Sequence, residues 1–242
     1  AYYHFARKDE IKTMEALQKS ISINKNFYDS QAFIANLLLQ QKKYDEAIKE
    51  YEKLIEIDKS VIASWNMSGW AYYAAGQYQK ALKAFAESKK INPLLVEAHY
   101  GSGLSLAKAG DLDDAKDELE TAINIYPYYA HTQELINLIA ANPKWKNLYK
   151  TLGWSYYNNQ SYKLAAAAFR EYLAAASSDI EALRGMAWSN YWQGQVDASY
   201  AGFAAILKNK ADDLDALVGI GWVLYLRDKD SEALNYLQKA VK

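Results

Sequence analysis

The sequence predicts an all-α protein built from stacked antiparallel helix pairs. Three observations predict it: tryptophan–tyrosine pairs recur in register with a fixed period, small residues form two columns on the same period, and helix breakers are few. The pairs are Trp70/Tyr73, Trp154/Tyr157, Trp188/Tyr191 and Trp222/Tyr225, with steps of 84, 34 and 34 residues between the tryptophans. A 34-residue period marks helical hairpins stacked side by side, and an i, i+3 pair places both rings on one helix face. Only 3 prolines and 11 glycines interrupt 242 residues dominated by Ala, Leu, Lys, Glu, Gln and Tyr at helical spacing.

The columns set the order of elements. Ala16-Leu17-Gln18-Lys19-Ser20-Ile21-Ser22-Ile23-Asn24 parallels Ala84-Phe85-Ala86-Glu87-Ser88-Lys89-Lys90-Ile91-Asn92, so residues 1–27 read as the tail of a repeat. Repeats follow at 28–61, 62–95 and 96–129, where Ala35, Gly69 and Gly103 align and Ala47, Ala81 and Ala115 stand 12 residues later. The columns continue at 146–179, 180–213 and 214–242 with Gly153, Ala187 and Gly221, then Ala165, Ser199 and Ala233. Antiparallel helices approach closely only where small side chains meet, so these columns predict the seam inside each pair. Large residues fill the partner columns: Leu38, Tyr72, Leu106, Tyr156, Asn190 and Leu224 in the first helices, and Tyr51, Phe85, Leu119, Phe169, Phe203 and Leu237 in the second. Gly76, Gly110 and Gly194 supply the left-handed residue that ends a helix. Pro93 and Pro127 stop second helices.

The segment Trp65-Asn66-Met67-Ser68-Gly69-Trp70-Ala71-Tyr72, followed by Gly76, Tyr78, Ala81, Phe85 and Pro93, resembles the tetratricopeptide repeat family, and the resemblance extends over almost the whole chain. It implies a right-handed α-solenoid. Asn190 in an aromatic column, Asp228 and Asp230 in place of the turn Gly and the Tyr after it, and Ser177 and Ala211 in place of the terminal Pro depart from the pattern. These predict looser packing in the later repeats. The rhythm breaks once, with 16 surplus residues near 130–145. Leu135, Ile136, Leu138 and Ile139 have helical spacing there and Asn142-Pro143 is a stop, so an extra or extended helix and a turn are expected. The chain would then comprise an N-terminal arm at 1–129, a helical spacer at 130–145 and a C-terminal arm at 146–242, the alternative being a plain insertion with no hinge. Beginning at Ala1 and ending at Lys242 inside a helical pattern, the sequence reads as a piece of a longer protein.

Composition excludes several function classes. Lys+Arg (28) and Asp+Glu (29) balance in each half, so no basic face points to nucleic acid. No apolar run is long enough to span a bilayer, and the absence of cysteine removes thiol chemistry. His4, His99 and His131 are not spaced as metal ligands, so no metal is expected. Of the acidic run Asp111, Asp113, Asp114, Asp117, Glu118 and Glu120, the first three begin a helix, where the dipole favours carboxylates, and the run lacks calcium-loop spacing. Neither a phosphate loop nor a nucleophile elbow is present. A non-enzymatic chain without a cofactor is expected.

In the resembled family the first helix of each repeat lines a concave groove, and certain columns of it contact ligand. The column after the small residue holds Asn36, Trp70, Leu104, Trp154, Trp188 and Trp222. Three further on stand Leu39, Tyr73, Ala107, Tyr157, Tyr191 and Tyr225, and four before it Ala32, Asn66, Tyr100, Lys150, Arg184 and Val218. The resemblance therefore implies contacts from Trp70, Tyr73, Trp154, Tyr157, Trp188, Tyr191, Trp222 and Tyr225, joined by Lys150, Arg184, Asn36 and Asn66. The family's Lys–Asn–Arg clamp for acidic C-terminal tails is not presented. Neighbouring helices lie about 8–10 Å apart, and a polyproline II strand advances about 9 Å per turn. An extended protein segment thus matches the row, and a partner-binding scaffold is the leading expectation. Two alternatives stand beside it: a carbohydrate-handling scaffold of a bacterial envelope or exopolysaccharide machine, with sugar rings on the aromatics, and a self-assembling solenoid. A further reading makes the aromatic row packing between helices.

Overall fold

The computed structural model describes residues 10–23, 28–128 and 133–241. Among these residues every regular element is helical: α1 (Glu10–Ile23), α2 (Tyr28–Gln40), α3 (Tyr44–Ile57), α4 (Ile62–Ala74), α5 (Tyr78–Ile91), α6 (Val96–Ala109), α7 (Leu112–Ile125), α8 (Gln133–Ala141), α9 (Asn147–Asn158), α10 (Tyr162–Leu173), α11 (Ile180–Trp192), α12 (Val196–Asn209), α13 (Leu214–Tyr225) and α14 (Asp230–Ala240). A 3-10 turn, Pro143–Lys146, follows α8. The chain forms two compact units, residues 1–122 and 123–242.

In the first unit α2/α3 and α4/α5 are antiparallel pairs, and α6 pairs with α7. The second-helix column Ala47, Ala81 and Ala115 is completely buried, as is Ala35. Phe85 shows why the columns must be small. Its ring fills the space between α4 and α6, so a Cβ at Gly69 would stand 2.6 Å from it and one at Gly101 2.3 Å. Interiors packed at crystal density leave no slack for either atom. Leu17 on α1 is buried in the column that Phe85 occupies later.

The second unit repeats the device in α9/α10, α11/α12 and α13/α14. Phe169 lies between Gly153 and Gly185, where added Cβ atoms would stand 2.6 and 2.4 Å from the ring. Phe203 meets Gly219 in the same way. Within this unit the Ser155 hydroxyl donates to the Ile123 carbonyl (2.9 Å), and Tyr156 donates to Pro127 O (3.1 Å). The surplus residues form α8 as a separate short helix, with Leu135, Ile139 and Trp145 buried and Pro143 opening the turn after it.

One left-handed residue ends the first helix of each repeat: Lys42 (φ 60°), Gly76 (74°), Gly110 (94°), Gln160 (59°), Gly194 (72°) and Asp228 (57°). The departure at Asp228 therefore keeps the turn conformation, at the cost a side chain incurs there. Asn24 of the N-terminal parallel, together with Ala130, His131 and Thr132 of the spacer, lies outside the described residues.

Candidate functional site

The aromatic row is half wall and half surface. Trp70, Trp154 and Trp188 each meet the phenylalanine of their own second helix edge-on, with ring centroids 5.3 Å (Phe85), 5.2 Å (Phe169) and 4.9 Å (Phe203) apart. Each also meets its i+3 tyrosine edge-on, at 5.8, 5.6 and 5.5 Å for Tyr73, Tyr157 and Tyr191. Edge-to-face pairs of this kind add about 0.5–1.5 kcal/mol beyond burial. These six rings are all half-buried. Trp222 has Leu237 in place of the phenylalanine and is 46% exposed, and Tyr225 is 57% exposed.

Two residues that the sequence reading missed join the row in the second unit. Trp192 stacks on Tyr162 at 6.0 Å with 23° between the planes, and its indole N–H donates to the Tyr157 hydroxyl (3.1 Å). Tyr157–Tyr162 (5.5 Å) and Tyr191–Trp192 (5.2 Å) then connect Trp154 to Trp188 through continuous ring contacts. Trp192 is 54% exposed, and Leu226, 34 residues later in the same column, is 51% exposed. The signal was available: Trp192 is one turn beyond Trp188, on the same face.

Lys150 and Arg184 sit beside the row and are engaged within the chain. The Lys150 ammonium reaches Asp179 (3.1 Å) and Glu181 (2.5 Å). The Arg184 guanidinium reaches Asp213 (3.0 Å) and Asp215 (3.0 Å). Asp179 and Asp213 are the N-caps of α11 and α13, accepting from the Ala182 and Ala216 amides. Each basic residue thus ties one repeat to the helix start of the next. Burial alone would raise the Asp213 carboxyl, but the Ala216 amide, Arg184 and Lys210 hold it below the usual carboxylate range. Asp179 is likewise lowered, burial being outweighed by the Ala182 amide, Tyr172 and Lys150. Burial works against the Lys150 charge as well, yet bonds to Glu181 and Asp179 raise its pKa.

Asn36 accepts a hydrogen bond from the buried Tyr51 hydroxyl (2.7 Å). The Asn66 side-chain oxygen is buried without a hydrogen-bond partner. His99 bonds Glu118 (2.7 Å) and the Pro93 carbonyl (2.8 Å) with its two ring nitrogens, a structural role; His4 and His131 lie outside the described residues. Among the described residues no group of three His, Cys, Asp or Glu is arranged to hold a metal, and no helix is long and apolar enough to cross a membrane.

Two profiles described as tetratricopeptide repeat match residues 28–94 and 66–130. Over 89 residues the chain is 36% identical to the tetratricopeptide repeat and J domain-containing co-chaperone DNJ1 of Cryptococcus neoformans var. grubii, covering 37% of this chain and 17% of that protein. Over 114 residues it is 32% identical to the small glutamine-rich tetratricopeptide repeat-containing protein 2 of Saccharomyces cerevisiae, covering 47% and 30%. The chain thus spans less than a third of the length of these relatives. A solved tetratricopeptide repeat protein from Parabacteroides merdae superposes on 99% of this chain and 88% of its own, with a TM-score of 0.51 at 16% identity, a likeness of fold.

Proposed function

We propose, from the premise that this chain belongs to the tetratricopeptide repeat family, that it is a non-enzymatic scaffold holding an extended segment of a protein partner along the aromatic face of α11 and α13. Proteins of this family mediate protein and peptide binding and are typically non-enzymatic. The observation that carries the reading is the exposed set Trp192, Trp222, Tyr225 and Leu226, placed on successive first helices. Together these side chains present on the order of 300–400 Å² of apolar surface, the size of patch that marks a binding surface.

In this reading Trp222 and Tyr225 carry the contact, and Trp154, Tyr157, Trp188 and Tyr191 prolong it through their outer edges. Trp70 and Tyr73 offer a separate, smaller station, with Asn66 beside them on the same helix. Asn36 belongs to the repeat before it. Lys150 and Arg184, held by their aspartates, set the position of the helices rather than the charge of the ligand. The arms proposed on either side of the spacer near 130–145 then divide the work, with the C-terminal arm binding.

Tryptophan fluorescence tests this. Titration with proline-rich peptides is expected to shift the emission saturably, and soluble glycans are expected to leave it unchanged. A shift with glycans alone would give the carbohydrate reading instead. Ligand-free, concentration-dependent sedimentation would give self-assembly.

A further inference from the structure

On the side of α11 facing away from Trp188, about 160° around the helix at 100° per residue, lies a second candidate site. A cavity of about 650 Å³ opens between α10, α11 and α12, lined among others by Arg170, Met186, Asn190 and Gly202. The same place exists in the repeat at 62–95, where the cavity is about 400 Å³. There it is plugged from within. The Tyr72 hydroxyl of α4 donates to Glu52 of α3, and the Lys80 ammonium lies 5.5 Å over the Tyr72 ring.

Column by column, the later repeat reverses these residues. Asn190 stands where Tyr72 stands, Arg170 where Glu52 stands, Ala198 where Lys80 stands and Gly202 where Ala84 stands. The ring is gone, the carboxylate has become a guanidinium, and the walls have shrunk. Lys163, one further cation, lines the same cavity, and no carboxylate lines it. On α10 the positions three and four residues from Arg170 are Ala166, Ala167, Leu173 and Ala174, so its own helix offers no ion-pair partner.

We infer that this notch takes an acidic segment of a partner protein: a bulky apolar side chain fills the space that Tyr72 occupies in the earlier repeat, and an adjacent carboxylate pairs with Arg170 and Lys163. Charge complementarity selects this occupant, since both cations are unpaired among the lining residues and the floor at Leu183 and Met186 is apolar. The near-neutral chain, with 28 basic and 29 acidic residues, argues against a nucleic-acid polyanion. The site is separate from the aromatic face and does not depend on it.

The test uses a fluorescein-labelled peptide of alternating glutamate and phenylalanine, with lysine replacing glutamate in the control. Anisotropy is expected to report saturable binding of the acidic peptide that weakens steeply with salt and no binding of the control. Arg170→Glu with Asn190→Tyr rebuilds the earlier plug and is expected to weaken binding by about tenfold or more with the melting temperature kept or raised. Trp222→Ala is expected to leave this binding unchanged, which separates failure here from failure of the aromatic face. The proposal is overturned if the acidic peptide does not bind at low salt, if the rebuilt plug binds it equally, or if a single-stranded oligonucleotide displaces it. Salt-sensitive self-association of the free chain through its own acidic run at Asp111–Glu120 would also overturn it.

Discussion

The junction between repeats is made differently in the two units. In the first, α4 and α6 begin at Val61 and Leu95, extended residues whose side chains cap nothing. In the second, α11 and α13 begin at Asp179 and Asp213, which cap the helix and hold the preceding repeat's Lys150 and Arg184. The columns agree: Ala32 and Asn66 stand where Lys150 and Arg184 stand. Yet one pair in each unit has the same seam, Phe85 against Gly69 in the first and Phe169 against Gly153 in the second. The apolar contact of a phenylalanine with a glycine of its own repeat and a glycine of the next is therefore shared by the two units, and the polar chemistry at the helix starts differs.

The largest expected effect tests the shared part. Phe85→Ala and Phe169→Ala should each cost about 3–5 kcal/mol in urea denaturation, because each empties a fully enclosed site. A Phe169→Ala cost below about 1 kcal/mol would break the equivalence of the two seams.

Next comes the part that differs. Asp213→Ala should cost about 2–3 kcal/mol, losing a cap and leaving Arg184 and Lys210 without their buried partner. Leu95→Ala removes no cap, and its loss should be one of apolar packing alone, insensitive to salt.

The pH dependence sharpens the same contrast. Asp179 and Asp213 have lowered pKa values in the folded chain. Their contribution is present above the unfolded carboxylate value of about 3.9 and is lost as pH falls through the folded values. Hydrogen exchange, corrected for intrinsic rates, should accelerate below about pH 4 at the Ala182 and Ala216 amides. The Ser64 and Ala98 amides bond the backbone carbonyls of Val61 and Leu95, and no aspartate stands at those caps; they should change less.

The smallest effect is in the turns. Gln160→Gly and Lys42→Gly should each stabilise by about 0.5–1 kcal/mol, by relieving side chains held at positive φ. Gly76→Ala should do the reverse, and equal shifts in both units would show that the turns, like the seams, are common to them.

Much of the fold was legible because each repeat restates it: the period, the small columns and the spacer helix are all visible in spacing alone. The way the tryptophan row packs was less so. A phenylalanine stands fifteen residues after each half-buried tryptophan of the row, and a leucine after the exposed Trp222. Trp70, Trp154 and Trp188 face Phe85, Phe169 and Phe203, whereas Asn36 bonds Tyr51. A second pairing was also present unread: Phe85, Phe169 and Phe203 are each followed sixteen residues later by Gly101, Gly185 and Gly219, the glycines that admit the rings. Lys150 and Arg184 looked free because their aspartates are 29 residues away, a distance that only stacking closes.

The claim that the terminal part of the row binds while the interior part packs is tested most directly by one paired measurement. Calorimetric peptide titration and melting of Trp222→Ala and Trp188→Ala are compared. The account predicts that Trp222→Ala weakens peptide binding about tenfold or more with little change in melting temperature, while Trp188→Ala lowers the melting temperature markedly. Unchanged peptide affinity in Trp222→Ala, together with a fall in melting temperature as large as that of Trp188→Ala, would contradict it.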